Sequence, residues 1–143
     1  MMLEAGDSDR CLAAGKKNGS RAGMDFCTTD WDTGLWRVIP VDNSSFEFRA
    51  VPTDKCLEVE NSGTQAGAAV QVWDCTGGKQ MRWQMDLVDP ARQLYQLRPT
   101  HTEGRCLDIV NGNVELGARA QSWSCNQTNA QLWRIRPVER PAS

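Results

Sequence analysis

The sequence predicts an all-β domain made of three tandem copies of one four-stranded unit. Three observations carry this: cysteines that recur in three groups of two, a tryptophan that closes each copy, and apolar residues that alternate with polar ones at a period of two. The cysteines group as Cys11 with Cys27, Cys56 with Cys75 and Cys106 with Cys125, at spacings of 16, 19 and 19 residues. Trp36, Trp83 and Trp133 follow at 25, 27 and 27 residues from the first cysteine of each copy. The first cysteines recur at intervals of 45 and 50. Self-similarity of this length decides the architecture ahead of any local signal.

Each copy opens on an alternating apolar run: Met1/Leu3, Phe46/Phe48, and Leu94 with Tyr95 and Leu97. A basic residue, the cysteine and a leucine follow, as Arg10-Cys11-Leu12, Lys55-Cys56-Leu57 and Arg105-Cys106-Leu107. A third run leads into the second cysteine. A fourth begins at the tryptophan, as in Trp36-Arg37-Val38-Ile39-Pro40-Val41 and Trp133-Arg134-Ile135-Arg136-Pro137-Val138. Period two means half-buried strands with one face inward. Turn formers fill the gaps, for example Asn61-Ser62-Gly63, Thr76-Gly77-Gly78 and Asp89-Pro90. No segment sustains a helical period. Short connections make the twelve expected strands antiparallel. Three units are too few for a propeller, which typically has four or more blades. Three-fold closure into a barrel with a hairpin cap is the better solution, and it removes the exposed edges of short strands. The 143 residues fit one domain spanning 1–143, with copies at approximately 1–45, 46–92 and 93–138.

The 16 basic and 18 acidic residues nearly cancel, which weighs against a nucleic-acid partner held by phosphate neutralisation. No apolar run approaches the roughly 18 residues of a membrane span. No basic start followed by an apolar stretch marks a secretory signal, so the chain reads as a mature segment or an excised domain. An even cysteine count favours disulfides in a secreted chain and thiols or metal in a cytosolic one. The absence of any Cys-x-x-Cys, with His101 as the single histidine, argues against a zinc site, and no cofactor is expected. His101 stands in Thr-His-Thr beside Glu103 without a nucleophile motif. Glycoside hydrolysis needs two opposed carboxyl groups, and no such pairing is visible. The chain is therefore read as a non-enzyme.

The third copy reads Cys106-Leu107-Asp108, then Gln121-Ser122-Trp123-Ser124-Cys125, then Gln131-Leu132-Trp133. The second reads Cys56-Leu57-Glu58, Gln71-Val72-Trp73-Asp74-Cys75 and Met81-Arg82-Trp83. The first has Cys11-Leu12-Ala13, a divergent approach to Cys27, and Gly34-Leu35-Trp36. Three such copies in register resemble the ricin B-type lectin repeat, a β-trefoil family named for its Gln-x-Trp motif. The resemblance covers essentially the whole chain. It implies a disulfide within each copy (Cys11–Cys27, Cys56–Cys75, Cys106–Cys125). Six cysteines alone permit fifteen pairings, and buried thiols in a reducing compartment are the other reading. Each closed loop would contribute roughly 3 kcal/mol in the chain-entropy picture.

The resemblance also sorts the tryptophans. Trp36, Trp83 and Trp133 close apolar alternations and are expected in the core. Trp73 and Trp123 precede a cysteine by two positions, where the family offers a flat face to a sugar ring. A pyranose has one C–H face and a hydroxyl rim, so an aromatic plate with fixed polar groups suits it. Asp108 stands where the family places a carboxylate that accepts from two neighbouring hydroxyls. The implied main site is Asp108, Gln121, Trp123, Asn129 and Gln131. Asn129 is one place early, with Asn126 or Gln127 as substitutes, and Gln131 has bracing of the Asp108 loop as its other role. A second, weaker site is implied at Glu58, Gln71, Trp73 and Gln80. There Glu is one methylene longer and freer than Asp, and Met81 replaces the final Gln. The first copy, with Ala13 and Gly34, is expected to bind nothing this way, and Trp31 is an extra aromatic there.

The implied function is a secreted, non-catalytic carbohydrate-binding module. Its partner would be a glycan, a galactose-type sugar or polysaccharide, with an attached catalytic or toxin domain as a further partner. The alternative is a degenerate trefoil acting as a protein-interaction or toxin-delivery subunit without sugar binding. An exposed apolar patch on the first two copies would favour it.

Overall fold

The computed structural model describes residues 1–30 and 32–138; Trp31 lies outside them. Twelve strands occur among these residues, four per copy. Copy one holds β1 (Met2–Ala5), β2 (Arg10–Ala13), β3 (Gly23–Phe26) and β4 (Trp36–Pro40). Copy two holds β5 (Phe46–Ala50), β6 (Cys56–Val59), β7 (Ala68–Trp73) and β8 (Trp83–Asp89). Copy three holds β9 (Leu94–Pro99), β10 (Arg105–Ile109), β11 (Ala120–Ser124) and β12 (Trp133–Arg136). All pairings in the sheet are antiparallel.

The first and last strands of the copies close a barrel. β4 pairs with β5, β5 with β8, β8 with β9, β9 with β12 and β12 with β1. The ring is completed where the Trp36 backbone NH donates to Met1 O at 2.8 Å and the Met1 amino group donates to Trp36 O at 2.9 Å. The middle strands form three hairpins, β2–β3, β6–β7 and β10–β11. These meet in a cyclic set of bridges: Arg21 with Gln71, Ala69 with Gln121, and Arg119 with Gly23. The bridges make residues 21, 69 and 119 equivalent, and likewise 23, 71 and 121. The hairpins therefore cap the barrel with approximate three-fold symmetry.

Trp36, Trp83 and Trp133 are fully buried. Each indole NH donates to the carbonyl of the leucine after the first cysteine: Leu12 at 2.9 Å, Leu57 at 3.0 Å and Leu107 at 3.1 Å. Barrel and cap are thus joined by one repeated bond whose donor would otherwise be buried unpaired. Three disulfides link Cys11–Cys27, Cys56–Cys75 and Cys106–Cys125. The basic residue before each first cysteine reaches across its hairpin. Arg10 lies 5.4 Å from the Phe26 ring centroid, Lys55 Nζ is 2.7 Å from Asp74 Oδ1, and Arg105 Nη1 donates to Ser124 Oγ at 3.1 Å.

Strict alternation does not hold on every strand. β1 and β6 are buried along their whole length. In β1, the outward-facing Glu4 is covered by Arg134 at 3.1 Å and Arg136 at 3.7 Å. In β6, the disulfide covers Cys56 and the amide of Gln71 covers Glu58. Polar residues on these strands are buried because partners from neighbouring strands lie over them. No helix among the described residues is long and apolar enough to cross a membrane.

Candidate functional site

The same strand pair carries the candidate site in every copy, and register defines its parts. Asp108 of β10 faces Gln121 of β11, and Cys106 faces Trp123. Glu58 of β6 faces Gln71 of β7, and Cys56 faces Trp73. Ala13 of β2 faces Gly23 of β3, and Cys11 faces Asp25. Gly23-Met24-Asp25 is therefore the copy-one counterpart of Gln-x-Trp. Copy one thus has Ala13 in place of the carboxylate, Gly23 in place of the amide and Asp25 in place of the aromatic plate.

In copy three, Gln121 Nε2 donates to Asp108 Oδ2 at 2.8 Å. Asp108 is buried, whereas Trp123 keeps 42% of its surface exposed. That exposure separates Trp123 and Trp73, at 41%, from the three barrel tryptophans at 0%. A cavity of about 520 Å³ opens here, bounded by Asp108, Asn111, Gln121, Trp123, Asn126 and Asn129 among others. Its size lies within the ~300–1,000 Å³ typical of small-molecule sites. The Trp123 ring rests against the preceding copy. Gly67 has φ +92°, and a Cβ built there would lie 3.7 Å from Trp123 Cζ3. A left-handed backbone that grazes the indole suits glycine. Gly19 stands in the same relation to Trp73, with φ +88° and the same 3.7 Å.

Burial pushes the Asp108 carboxyl above its ordinary range, against the amides of Gln121 and Gln131 and the Ile109 backbone NH, which favour the anion. Gln131 itself is fully buried and does not bound the cavity. Its Oε1 accepts from Asn126 N at 2.7 Å, and its Nε2 donates to Ser124 O at 2.8 Å. These bonds hold the loop after Trp123, and the same amide lies against the Asp108 carboxyl. Asn129 does reach the cavity. Its turn, Asn129–Gln131, packs on copy one, where Gly6 N donates to Leu132 O at 2.7 Å. Asn126 bounds the cavity, while Gln127 does not.

In copy two, Gln71 Nε2 donates to Glu58 Oε2 at 2.8 Å and Gln80 Nε2 to Glu58 Oε1 at 3.4 Å. Both carboxylate oxygens thus have an amide partner. The cavity, bounded by Glu58, Asn61, Gln71, Trp73, Thr76 and Gln80 with others, is only about 210 Å³. Met81 is fully buried, and its sulfur accepts from Thr76 N at 3.3 Å, as Gln131 does from Asn126. The thioether is the weaker acceptor and has no NH to fix the loop. The Gln80 amide lies against Gly78, so a Cβ there would have to displace it. The copy-three counterparts are Ala130 and Thr128, which leave the space open.

Asn111 and Asn61 border the two cavities without having been singled out from sequence. Both hold left-handed backbone, φ 59° and 54°, in a tight turn after the carboxylate strand. The signal is present in retrospect: each lies five residues after the first cysteine of its copy.

A model of the ricin-type beta-trefoil lectin domain-like family matches residues 3–73, 32–123 and 82–142. The chain belongs to this family. Its β-trefoil architecture is shared with the designed three-fold symmetric protein ThreeFoil, at 26% identity over 96% of this chain and 97% of that one (TM-score 0.87). It is also similar to an exo-beta-1,3-galactanase from Clostridium thermocellum, at 18% identity and a TM-score of 0.87. The match covers 96% of this trefoil but only 30% of the galactanase chain. The Macrolepiota procera ricin B-like lectin, solved in complex with lactose, matches at 14% identity over 94% of this chain and 93% of that one (TM-score 0.78). No curated protein matches the chain.

Proposed function

We propose that this chain is a non-catalytic carbohydrate-binding module with its main sugar site in copy three, a weaker one in copy two and none of this design in copy one. One observation carries the reading: an exposed Trp123 stands beside a buried, amide-held Asp108 at the mouth of the larger cavity. The C–H face of a pyranose stacks on the indole. The Asp108 carboxylate accepts from two neighbouring hydroxyls, with Asn126 and Asn129 along the rim. Gln121 holds the carboxylate from one side, and Gln131 positions the loop that carries Asn126. A galactose-type sugar is the expected ligand, supported by the lactose bound to the Macrolepiota procera relative. The fold's place as a minor part of a galactanase chain supports attachment to a larger protein. Three disulfides suit an oxidising, extracellular setting.

A single shallow site gives weak affinity, on the order of millimolar or ~−4 kcal/mol. Useful avidity then comes from the second site, from oligomers or from a parent chain. The test is a glycan array followed by calorimetry on wild type and Asp108→Ala. Asp108→Ala is expected to lose binding while its thermal midpoint stays within a degree or two of wild type. Absence of glycan binding by wild type at high density overturns the proposal in favour of a protein-interaction subunit.

A further inference from the structure

The copy-three cavity does not end at Trp123. A second cavity of about 510 Å³ adjoins it, and the two share Val110 and Gln121 as common walls. This second space lies where the three hairpins meet. Its floor is copy two's Gly67, Ala68 and Ala69, and its charged groups are Arg21, Glu60 and Arg119. The cyclic bridges make residues 21, 69 and 119 equivalent, so two of the three positions around the pseudo-axis are arginine and the third is the small Ala69. Arg21 Nη1 is 2.6 Å from Glu60 Oε2 and is largely neutralised. Arg119 is exposed, and among the described residues it has no carboxylate partner. Only its backbone is engaged, in the bridge to Gly23 and in accepting from Val110 N at 2.9 Å. The cavity therefore carries one uncompensated positive charge, next to the walls of the sugar site.

We infer that this second cavity is a subsite for an acidic sugar residue linked to the ring held at Trp123. The inference rests on the copy-three sugar site proposed above. A planar guanidinium matches the paired oxygens of a carboxylate or sulfate and binds them through two parallel NH groups. Arg119 has no side-chain partner among the described residues, and Arg21 bounds the same space. The alanine floor leaves room for a second ring. The ligand class is thus an oligosaccharide whose residue next to the docked sugar bears a carboxylate or a sulfate.

Matched pairs on a glycan array test this. Each neutral glycan is compared with its counterpart carrying a uronate or sialate (carboxylate arm) or a sulfate (sulfate arm) on the neighbouring residue, and the best pair is taken to calorimetry. Wild type is expected to bind the acidic member about tenfold tighter, with the advantage shrinking as salt is raised. Arg119→Ala is expected to bring the two members within about twofold while leaving the neutral affinity unchanged, and Arg119→Lys to keep part of the advantage. Whichever arm shows the effect identifies the oxyacid group. Acidic members that bind no tighter than neutral ones, or an advantage that survives Arg119→Ala, overturn the subsite and leave the sugar site standing. Failure of every pair to bind overturns both.

Discussion

Copies two and three set the same strand pair beneath the same half-exposed tryptophan, yet their cavities differ from about 210 to about 520 Å³. Backbone does not explain the difference. Gly19 and Gly67 seat the two indoles alike, and Asn61 and Asn111 turn alike. The side chains around the two cavities differ. Glu58 replaces Asp108 with one methylene more, Gln80 takes up the space left open by Ala130, and Met81 replaces Gln131. The long Gln80 amide folds back onto Glu58 at 3.4 Å and engages an acceptor oxygen. Local crowding can thus narrow a cavity while its scaffold is unchanged. Copy one goes further, with Ala13, Gly23 and Asp25 at the site positions. Gly23 is held small by its neighbour, since a Cβ there would come within 2.8 Å of Ala118 O.

The largest effect expected within this comparison separates scaffold from site. Trp133→Ala removes a fully buried indole and its bond to Leu107 O, and should cost ~3–5 kcal/mol. Trp123→Ala removes an exposed plate and should change stability by less than ~1 kcal/mol while abolishing sugar binding. Denaturant melts and calorimetry on the two variants check this. Loss of folding in both would place Trp123 in the core.

An intermediate effect is expected from exchanging the two polar sets. Gln131→Met gives copy three the copy-two brace, and the buried Met81 shows that the volume is tolerated. Sugar affinity should fall about tenfold, or ~1.4 kcal/mol, with little change in the melt. The reverse graft, Glu58→Asp with Gln80→Ala and Met81→Gln, should open the second cavity and raise calorimetric stoichiometry toward two sites per chain. A graft that folds without gaining a site would mean that the differences lie outside these three positions.

Much of this was readable in the chain. The three-fold frame followed from cysteine spacing, and the burial of Trp36, Trp83 and Trp133 followed from the alternation around them. What was not readable depended on register or on side-chain direction. Copy one is not such a case, since counting back two places from Cys27 gives Asp25 just as it gives Trp73 and Trp123 in the other copies, and the pairing of Cys11 with Asp25 agrees. The sequence leaves Gln131 either facing the ligand or bracing the Asp108 loop. Its inward rotamer exists because the loop at Asn126 and Ser124 has backbone groups that need partners. Full burial of β1 was likewise hidden, since Arg134 comes to Glu4 from the far end of the chain.

The smallest expected effect concerns the proton on Asp108. Burial raises its folded-state pKa above that of the unfolded chain, so the native state holds this proton more tightly. Above the folded pKa the buried anion therefore subtracts from stability, and that loss is recovered as pH falls through it. Asp108→Asn keeps an acceptor for Gln121 but has no charge to bury. It should raise the thermal midpoint slightly at pH 7. It should have no such effect once Asp108 is protonated. Sugar binding runs the other way, because the anion accepts from two hydroxyls through charge-assisted bonds, whereas the protonated acid is a weaker acceptor with one oxygen turned donor. Affinity should fall on acidification with a midpoint above the ~3.9 of an ordinary Asp. Calorimetry across pH reads the affinity, and melts of the Asn variant read the stability. A binding midpoint at or below the ordinary value would mean that Asp108 is held by its amide partners more strongly than burial disfavours it. The carboxylate would then be a rigid acceptor that stays charged, and the site would keep its sugar in acid.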